Sequence, residues 1–250
     1  MKLIKPHFCL IAFMSASQPN KNYVIIVAGG SGTRMQSALP KQFLLLNGLP
    51  VMMHTINAFH KSESKPQIIL VLHPDYHRHW IQLCAQYDFN APHQLINGGE
   101  TRFHSVKKGL DSIEDNNAVI AIHDAVRPLT ASGIIDNSFT HATIYGNAIT
   151  AVKSRDSIRQ IKGDCTISLL RDHIYLVQTP QTFQSALLKK AYEQAYESSF
   201  TDDASVVENL GIKINLIEGN YENIKITFPE DIVIAEAILK KNHLPKANGF

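Results

Sequence analysis

The segment Ala28-Gly29-Gly30-Ser31-Gly32-Thr33-Arg34-Met35 follows directly on an apolar, β-branched run, Tyr23 to Val27. Glycines at such a junction let backbone N–H groups turn toward an anion, and a helix end beyond the turn adds partial positive charge. Taken alone, the turn fits plain chain reversal as well as it fits a phosphate loop. Arg34, with Lys41 in the following Leu39-Pro40-Lys41-Gln42-Phe43, favours the phosphate, because two cations flank one glycine turn. A dinucleotide fingerprint would need glycine in place of Met35, and a Walker loop would need Gly-Lys-Ser/Thr after its spacer. Neither pattern is present.

Two further segments have the same character. Asn97-Gly98-Gly99-Glu100-Thr101-Arg102-Phe103-His104-Ser105-Val106 is a tight turn feeding a helix, whose first N–H groups and Ser105 hydroxyl could face a ligand or simply open the helix. His123-Asp124-Ala125-Val126-Arg127-Pro128 follows the apolar run Val119 to Ile122. An acid at the carboxyl end of a central strand either caps its loop or holds Mg²⁺ on a triphosphate in the crevice where ligands bind. The glycine segments on either side favour the second role for Asp124. The cysteines Cys9, Cys84 and Cys165 are odd in number and far apart, and among the 12 histidines the tightest group is the lone pair His77 and His79, with no HExxH spacing. These patterns define neither a disulfide framework nor a zinc site.

Positioning these segments requires an α/β scaffold. Tyr23 to Val27, Ile68 to Leu72, Val119 to Ile122 and Ala148 to Val152 read as buried strands, with amphipathic helices over Val51 to Lys61, Tyr76 to Tyr87, Thr101 to Ser112 and Ala131 to Ala142. That alternation predicts a Rossmann-like, mostly parallel sheet sandwiched by helices, with the ligand at the carboxyl ends of the strands. After Val152 the rhythm breaks. Ser157 to Ile161 and Thr166 to Leu170 alternate around Lys162-Gly163-Asp164, which predicts a β-hairpin arm over about residues 153–176. A hairpin alone is marginal in water, so a second subunit is expected to cover it. The chain should resume with helices from Gln184 to Tyr196 and from Thr201 to Gly211, strands Lys213 to Ile217 and Asn223 to Thr227, and a last helix at Pro229-Glu230-Asp231.

With 250 residues, 44% hydrophobic residues and a net charge of +2, the composition is that of a globular protein able to bury a core unaided. Lys and Arg form no runs, which argues against nucleic acid as a partner. Residues 1–20 are expected to be an extension outside the fold, 21–242 a single domain and 243–250 a tail. Phe8 to Met14 behind Lys2 and Lys5 has the look of a short signal peptide, but seven apolar residues are far below the roughly 20 that cross a bilayer, and no membrane partner is expected.

In sequence order the motifs are Ala28 to Met35, Pro40 to Phe43, Gly98 to Leu110, His123 to Pro128, Gln178 to Phe183, Thr201 to Ser205 and Asn223 to Asp231. Together they closely resemble the 2-C-methyl-D-erythritol 4-phosphate cytidylyltransferases of the non-mevalonate isoprenoid pathway, from about Tyr23 to Leu239. The resemblance implies that Ala28, Gly29, Gly30, Gly99, Ser105 and Ala125 hold CTP, and that Arg34 and Lys41 are the catalytic cations on its triphosphate. It also implies a methylerythritol phosphate pocket of Asp124, Arg127, Thr179 and Lys225. Ser157 and Arg171 would reach that pocket from the arm of the partner in a homodimer. Three positions depart from the family pattern: Ser157 for threonine, Lys153 for proline and Leu170 for aspartate.

The implied reaction transfers CMP from CTP to the polyol phosphate and releases pyrophosphate, with Mg²⁺ or another divalent cation as cofactor. The attacking phosphate oxygen is already ionised at neutral pH, so positioning and charge stabilisation carry the catalysis. A CTP-dependent reaction implies a cytoplasmic enzyme. Ribitol-5-phosphate cytidylyltransferase is the alternative within the enzyme class. A nucleotide-binding protein without turnover is the alternative outside it, against which Arg34, Lys41, Asp124 and Lys225 speak.

Overall fold

The computed structural model describes residues 21–28 and 39–243. In chain order its elements are β1 (Asn22–Ala28), β2 (Leu45–Leu46), β3 (Leu49–Pro50), α1 (Val51–His60), β4 (Gln67–Leu72), α2 (His77–Gln86), β5 (Gln94–Asn97), α3 (Arg102–Asp111), β6 (Val119–Asp124), α4 (Ser132–Tyr145) and β7 (Asn147–Lys153). The chain continues with β8 (Ile158–Lys162), β9 (Cys165–Leu169), β10 (Tyr175–Gln184), α5 (Ser185–Ala191), α6 (Asp203–Glu208), β11 (Leu216–Glu218) and α7 (Pro229–His243).

Seven strands form one sheet in the order β11-β7-β10-β6-β1-β4-β5. β1 pairs in parallel with β4 and β6, β4 with β5, and β7 with β11, whereas β10 runs antiparallel to both its neighbours, β6 and β7. The expected mostly parallel α/β sandwich is therefore present, with one antiparallel strand near its centre. Alternation along the strands sends residues to both faces. Val24 and Ile26 join Ile56, Phe59, Trp80 and Phe139 on one side, and Ile25 joins Phe103, Val106, Leu188 and Val207 on the other. β6 is buried along its whole length, which explains why it reads as a continuous apolar run ending in His-Asp.

The arm forms as the alternation predicted. β8 and β9 pair only with each other, from Ile158↔Leu169 to Lys162↔Cys165, and constitute a separate two-stranded sheet. Elsewhere the expected elements need correction. The strand assigned to Lys213–Ile217 is confined to Leu216–Glu218, and Asn223–Thr227 is no strand: its Ile226 N–H donates to the Val126 carbonyl, but side-chain anchoring replaces a ladder. The helix assigned to Gln184–Tyr196 spans Ser185–Ala191, and the one expected to reach Gly211 ends at Glu208. β10 escaped the sequence reading because Pro180 argues against a central strand. The strand accommodates it with a register shift between Val177 and Gln181.

Candidate active site

The loops after β1, β4, β5 and β6 leave the same end of the sheet. Asp124, the last residue of β6, lies in register with Val27 of β1, and the Ala125 N–H donates to the Val27 carbonyl at 3.1 Å. Beside them the Gly98 N–H donates to Leu72 O at the end of β4. Strand pairing alone thus brings Ala28, Gly98 and Asp124, one described residue from each of the three motifs, to this end of the sheet.

On the expected nucleotide side, Ala28 closes β1 and its carbonyl accepts from Gln42 Nε2 at 2.9 Å. That bond ties the end of β1 to the short 3-10 turn Lys41–Phe43, in which Lys41 is buried. The Gly99 N–H donates to Ser105 Oγ at 3.0 Å, and a side chain at Gly99 would meet His104 Cβ at 2.5 Å and its backbone carbon at 2.8 Å. Only glycine fits that approach of the turn to the first turn of α3. Thr101 caps the helix, its hydroxyl accepting from the His104 N–H. Gly29, Gly30 and Arg34 lie outside the described residues.

The other side is a charged cluster. Asp124 Oδ2 faces Lys225 Nζ at 3.0 Å and Arg127 Nε at 3.2 Å, while Oδ1 faces Arg102 Nε at 3.7 Å. Burial would raise the carboxyl pKa, but Arg102, Lys225 and Arg127 outweigh it and hold the group well below the usual carboxylate range. The Arg102 guanidinium also donates to both oxygens of Asp203, at 2.9 and 2.6 Å. Burial opposes its charge, yet the two carboxylates raise its pKa. Three cations against two carboxylates leave one positive charge in excess, and Lys225, whose side chain is 40% exposed, can present it to an incoming anion.

Hydrogen bonds fix this cluster from behind. The Asp124 N–H donates to Thr179 Oγ1 at 3.1 Å, and Arg127 Nη1 donates to the Asn223 carbonyl at 2.8 Å. Asn223, fully buried, donates from Nδ2 to Thr179 O and accepts from the Thr130 hydroxyl. These bonds pin the irregular segment that carries Lys225. His123 is fully buried against Phe59, and desolvation pushes its pKa down to about 3, so it is neutral and packs as part of the core.

Of the predicted residues, Asp124, Arg127, Thr179 and Lys225 come together, with Ala125 adjoining them, and Ala28, Lys41, Gly99 and Ser105 lie on the neighbouring segments. Ser157 and Arg171 do not join them. Both are exposed on the arm, where Arg171 contacts Asp172 at 4.0 Å and the Arg155 carbonyl at 3.3 Å. The Asp124 carboxylate, expected to hold a metal, is instead engaged by three cations. The sequence reading also passed over Arg102, Asp203 and Asn223, although each sits inside a motif. For Arg102 and Asp203 the available signal is a charged residue at a helix start; Asn223 stands in an irregular segment where nothing local marks it.

The sequence profile of the 2-C-methyl-D-erythritol 4-phosphate cytidylyltransferase family matches residues 23–241. The enzyme of that name from Bacteroides fragilis is 46% identical over 215 residues, covering 86% of this chain and 98% of the relative. Its counterpart from Azobacteroides pseudotrichonymphae is 47% identical over 220 residues, covering 88% and 99%. Among solved structures, 4-diphosphocytidyl-2C-methyl-D-erythritol synthase from Anaerococcus prevotii superposes with a TM-score of 0.76 at 28% identity, covering 88% of this chain and 96% of that one.

Proposed function

The chain belongs to the 2-C-methyl-D-erythritol 4-phosphate cytidylyltransferase family, and we propose that its Asp124 cluster is the pocket that receives the polyol phosphate. The protein is a nucleotidyltransferase that moves the cytidylyl group of CTP onto 2-C-methyl-D-erythritol 4-phosphate in isoprenoid precursor biosynthesis. The observation that carries the pocket assignment is the excess positive charge around Asp124, set at the carboxyl end of β6.

In this reading Ala28, Gly29, Gly30, Gly99, Ser105 and Ala125 hold CTP, mostly through backbone groups. Lys225 and Arg127 face the polyol phosphate, with Asp124 and Thr179 fixing their placement and meeting the polyol hydroxyls. A phosphate oxygen of the polyol attacks the α-phosphorus of CTP, a new P–O bond forms in line, and the bond to the β-phosphate oxygen breaks to release pyrophosphate. Arg34 and Lys41 stabilise the charge gathering on the α-phosphate oxygens and the leaving group, the kind of contribution that makes arginine valuable in phosphoryl transfer. A divalent cation would accompany the triphosphate, whose own oxygens are hard ligands for it. Asp124 is not assigned to it.

The arm completes the pocket from a second copy in a homodimer. Support comes from its separate sheet and from Ile161, Ile167, Leu170 and Leu176, which are exposed along it and at its base. Ser157 and Arg171 would then be supplied in trans. A cytoplasmic location follows from the use of CTP; among the described residues no helix is long and apolar enough to cross a membrane.

The test follows pyrophosphate release from CTP with either polyol phosphate. Methylerythritol phosphate should be turned over and Lys225→Ala should lower its kcat/KM by about 100-fold, the scale of a shielded charge-assisted contact. Turnover of ribitol 5-phosphate in its place, or an unchanged Lys225→Ala enzyme, overturns the assignment.

A further inference from the structure

Arg102 stands at the first position of α3, the helix whose next turn carries Ser105, yet its guanidinium points away from the helix toward two acids on other elements. Its two Nη groups fork onto Asp203, the first residue of α6, whose side chain is fully buried. Such a planar, two-point contact fixes the guanidinium in orientation as well as in place. Asp203 is itself held, because the buried Tyr192 hydroxyl donates to its Oδ1 at 2.6 Å. Tyr192 stacks on Phe103 with ring centroids 4.6 Å apart, and its carbonyl accepts from Lys107 Nζ, so it is bound twice to α3. The start of α6 is anchored to β10 as well. Gln181 accepts from the Ala204 N–H and donates to Asp202.

Arg102 is thus locked from behind and offers its remaining Nε to Asp124 Oδ1 at 3.7 Å. That leaves the opposite oxygen of Asp124 to Arg127 and Lys225. We propose that Arg102, held by Asp203 and Tyr192, is a positioning residue that orients the Asp124 carboxylate and through it sets the Lys225 ammonium for the polyol phosphate. The inference rests on the pocket assignment made above and extends it to residues that touch no substrate. Asp203 and Tyr192 therefore act at a distance. Their loss should disturb the polyol phosphate and spare CTP, since Gly99 and Ser105 hydrogen-bond to each other and not to these side chains.

Arg102→Lys keeps one charge but cannot fork onto Asp203 and face Asp124 at once. Asp203→Asn keeps the shape and loses the symmetric acceptor pair, and Tyr192→Phe keeps the ring stack and loses one hydrogen bond. The experiment measures kcat and both Michaelis constants for these three variants and for Lys225→Ala, with thermal unfolding of each. Misplaced groups in or behind an active site typically cost about 10- to 100-fold. Arg102→Lys and Asp203→Asn should raise KM for the polyol phosphate by about 10-fold or more, Tyr192→Phe by about 3-fold, and KM for CTP should stay within about 2-fold in all. Tyr192→Phe keeps the question open to measurement if either charge variant fails to fold. Equal effects on both substrates, or losses that simply track the fall in melting temperature, would mean a structural role only and overturn the inference. If Lys225→Ala leaves the polyol phosphate KM unchanged, the pocket assignment itself falls and the inference with it.

Discussion

Around Asp124, Arg102, Arg127, Lys225 and Thr179 supply partners from four different parts of the chain, and most of these groups are shielded from water. On the arm, Arg171 is more than half exposed, meets Asp172 at the limit of an ion pair, and lies in a short turn after a two-stranded sheet whose Ile161 is 78% exposed. Both regions carry cations suited to a phosphate. One is fixed by its own chain before any substrate arrives, whereas the other has its polar residues in place without a surface against which to hold them. Preorganisation here is divided: in the function proposed above the buried cluster receives the phosphate as it stands, and the arm contributes only when something covers it.

Removing the anion at the centre of the cluster should expose this contrast most strongly. Asp124→Asn leaves three cations facing a neutral amide, and breaking a buried ionic set in this way typically costs about 3–5 kcal/mol. Denaturant unfolding should show a loss of that order. Arg171→Ala on the arm should shift the same curve hardly at all, and comparable losses would erase the distinction between the regions.

Acid should separate them next. Asp124 has a folded-state pKa below its unfolded value, so the stability it contributes is present above about pH 4 and is lost as pH falls through the folded pKa. His123, held near 3 by burial, acts in the same direction over a wider window: the unfolded chain takes up its proton near pH 6.5 and the folded one does not. Stability should therefore decline from about pH 6.5 downward, with His123 contributing a slope of up to ~1.4 kcal/mol per pH unit. His123→Leu should flatten that slope by about one proton, while Ile161→Ser on the arm, which alters no ionisable group, should leave it unaltered.

The smallest effect belongs to the arm's own turn. Gly163 has φ +60, a left-handed conformation that glycine adopts freely, so Gly163→Ala should weaken the β8–β9 pairing by about 1 kcal/mol. Amide exchange at Arg159 and Thr166 should quicken while exchange in β6 stays unchanged.

Much of this architecture was legible in the sequence, and the reasons differ by region. Buried parallel strands announce themselves as apolar runs, so β1, β4, β6 and β7 were placed correctly, and glycine-rich turns after them marked the site end of the sheet. The arm was legible through its alternation around Lys162-Gly163-Asp164. β10 was not, since Pro180 contradicts a central strand and its pairing partners are distant in sequence. The same non-local character hid Arg102 and Asp203. Spacing marks a helix start at each, but nothing local says that two helix starts about 100 residues apart share a salt bridge. The surroundings of Asp124 were hidden for a related reason: its carboxylate reads as available for a metal, and the cations around it come largely from distant parts of the chain.

In the proposed function one active site joins the buried cluster of one chain to the arm of another, and subunit mixing tests this arrangement directly. Lys225→Ala disables the cluster and Arg171→Ala disables the arm, so each homodimer should be nearly inactive. In a symmetric dimer with an exchanged pair, one site carries both lesions and the other neither. Random exchange of equal amounts should then restore activity to about a quarter of the unmodified enzyme, since half the dimers are mixed and each has one intact site. Activity that stays at the level of the parents, under conditions where labelled subunits demonstrably exchange, would contradict the claim and confine the site to a single chain.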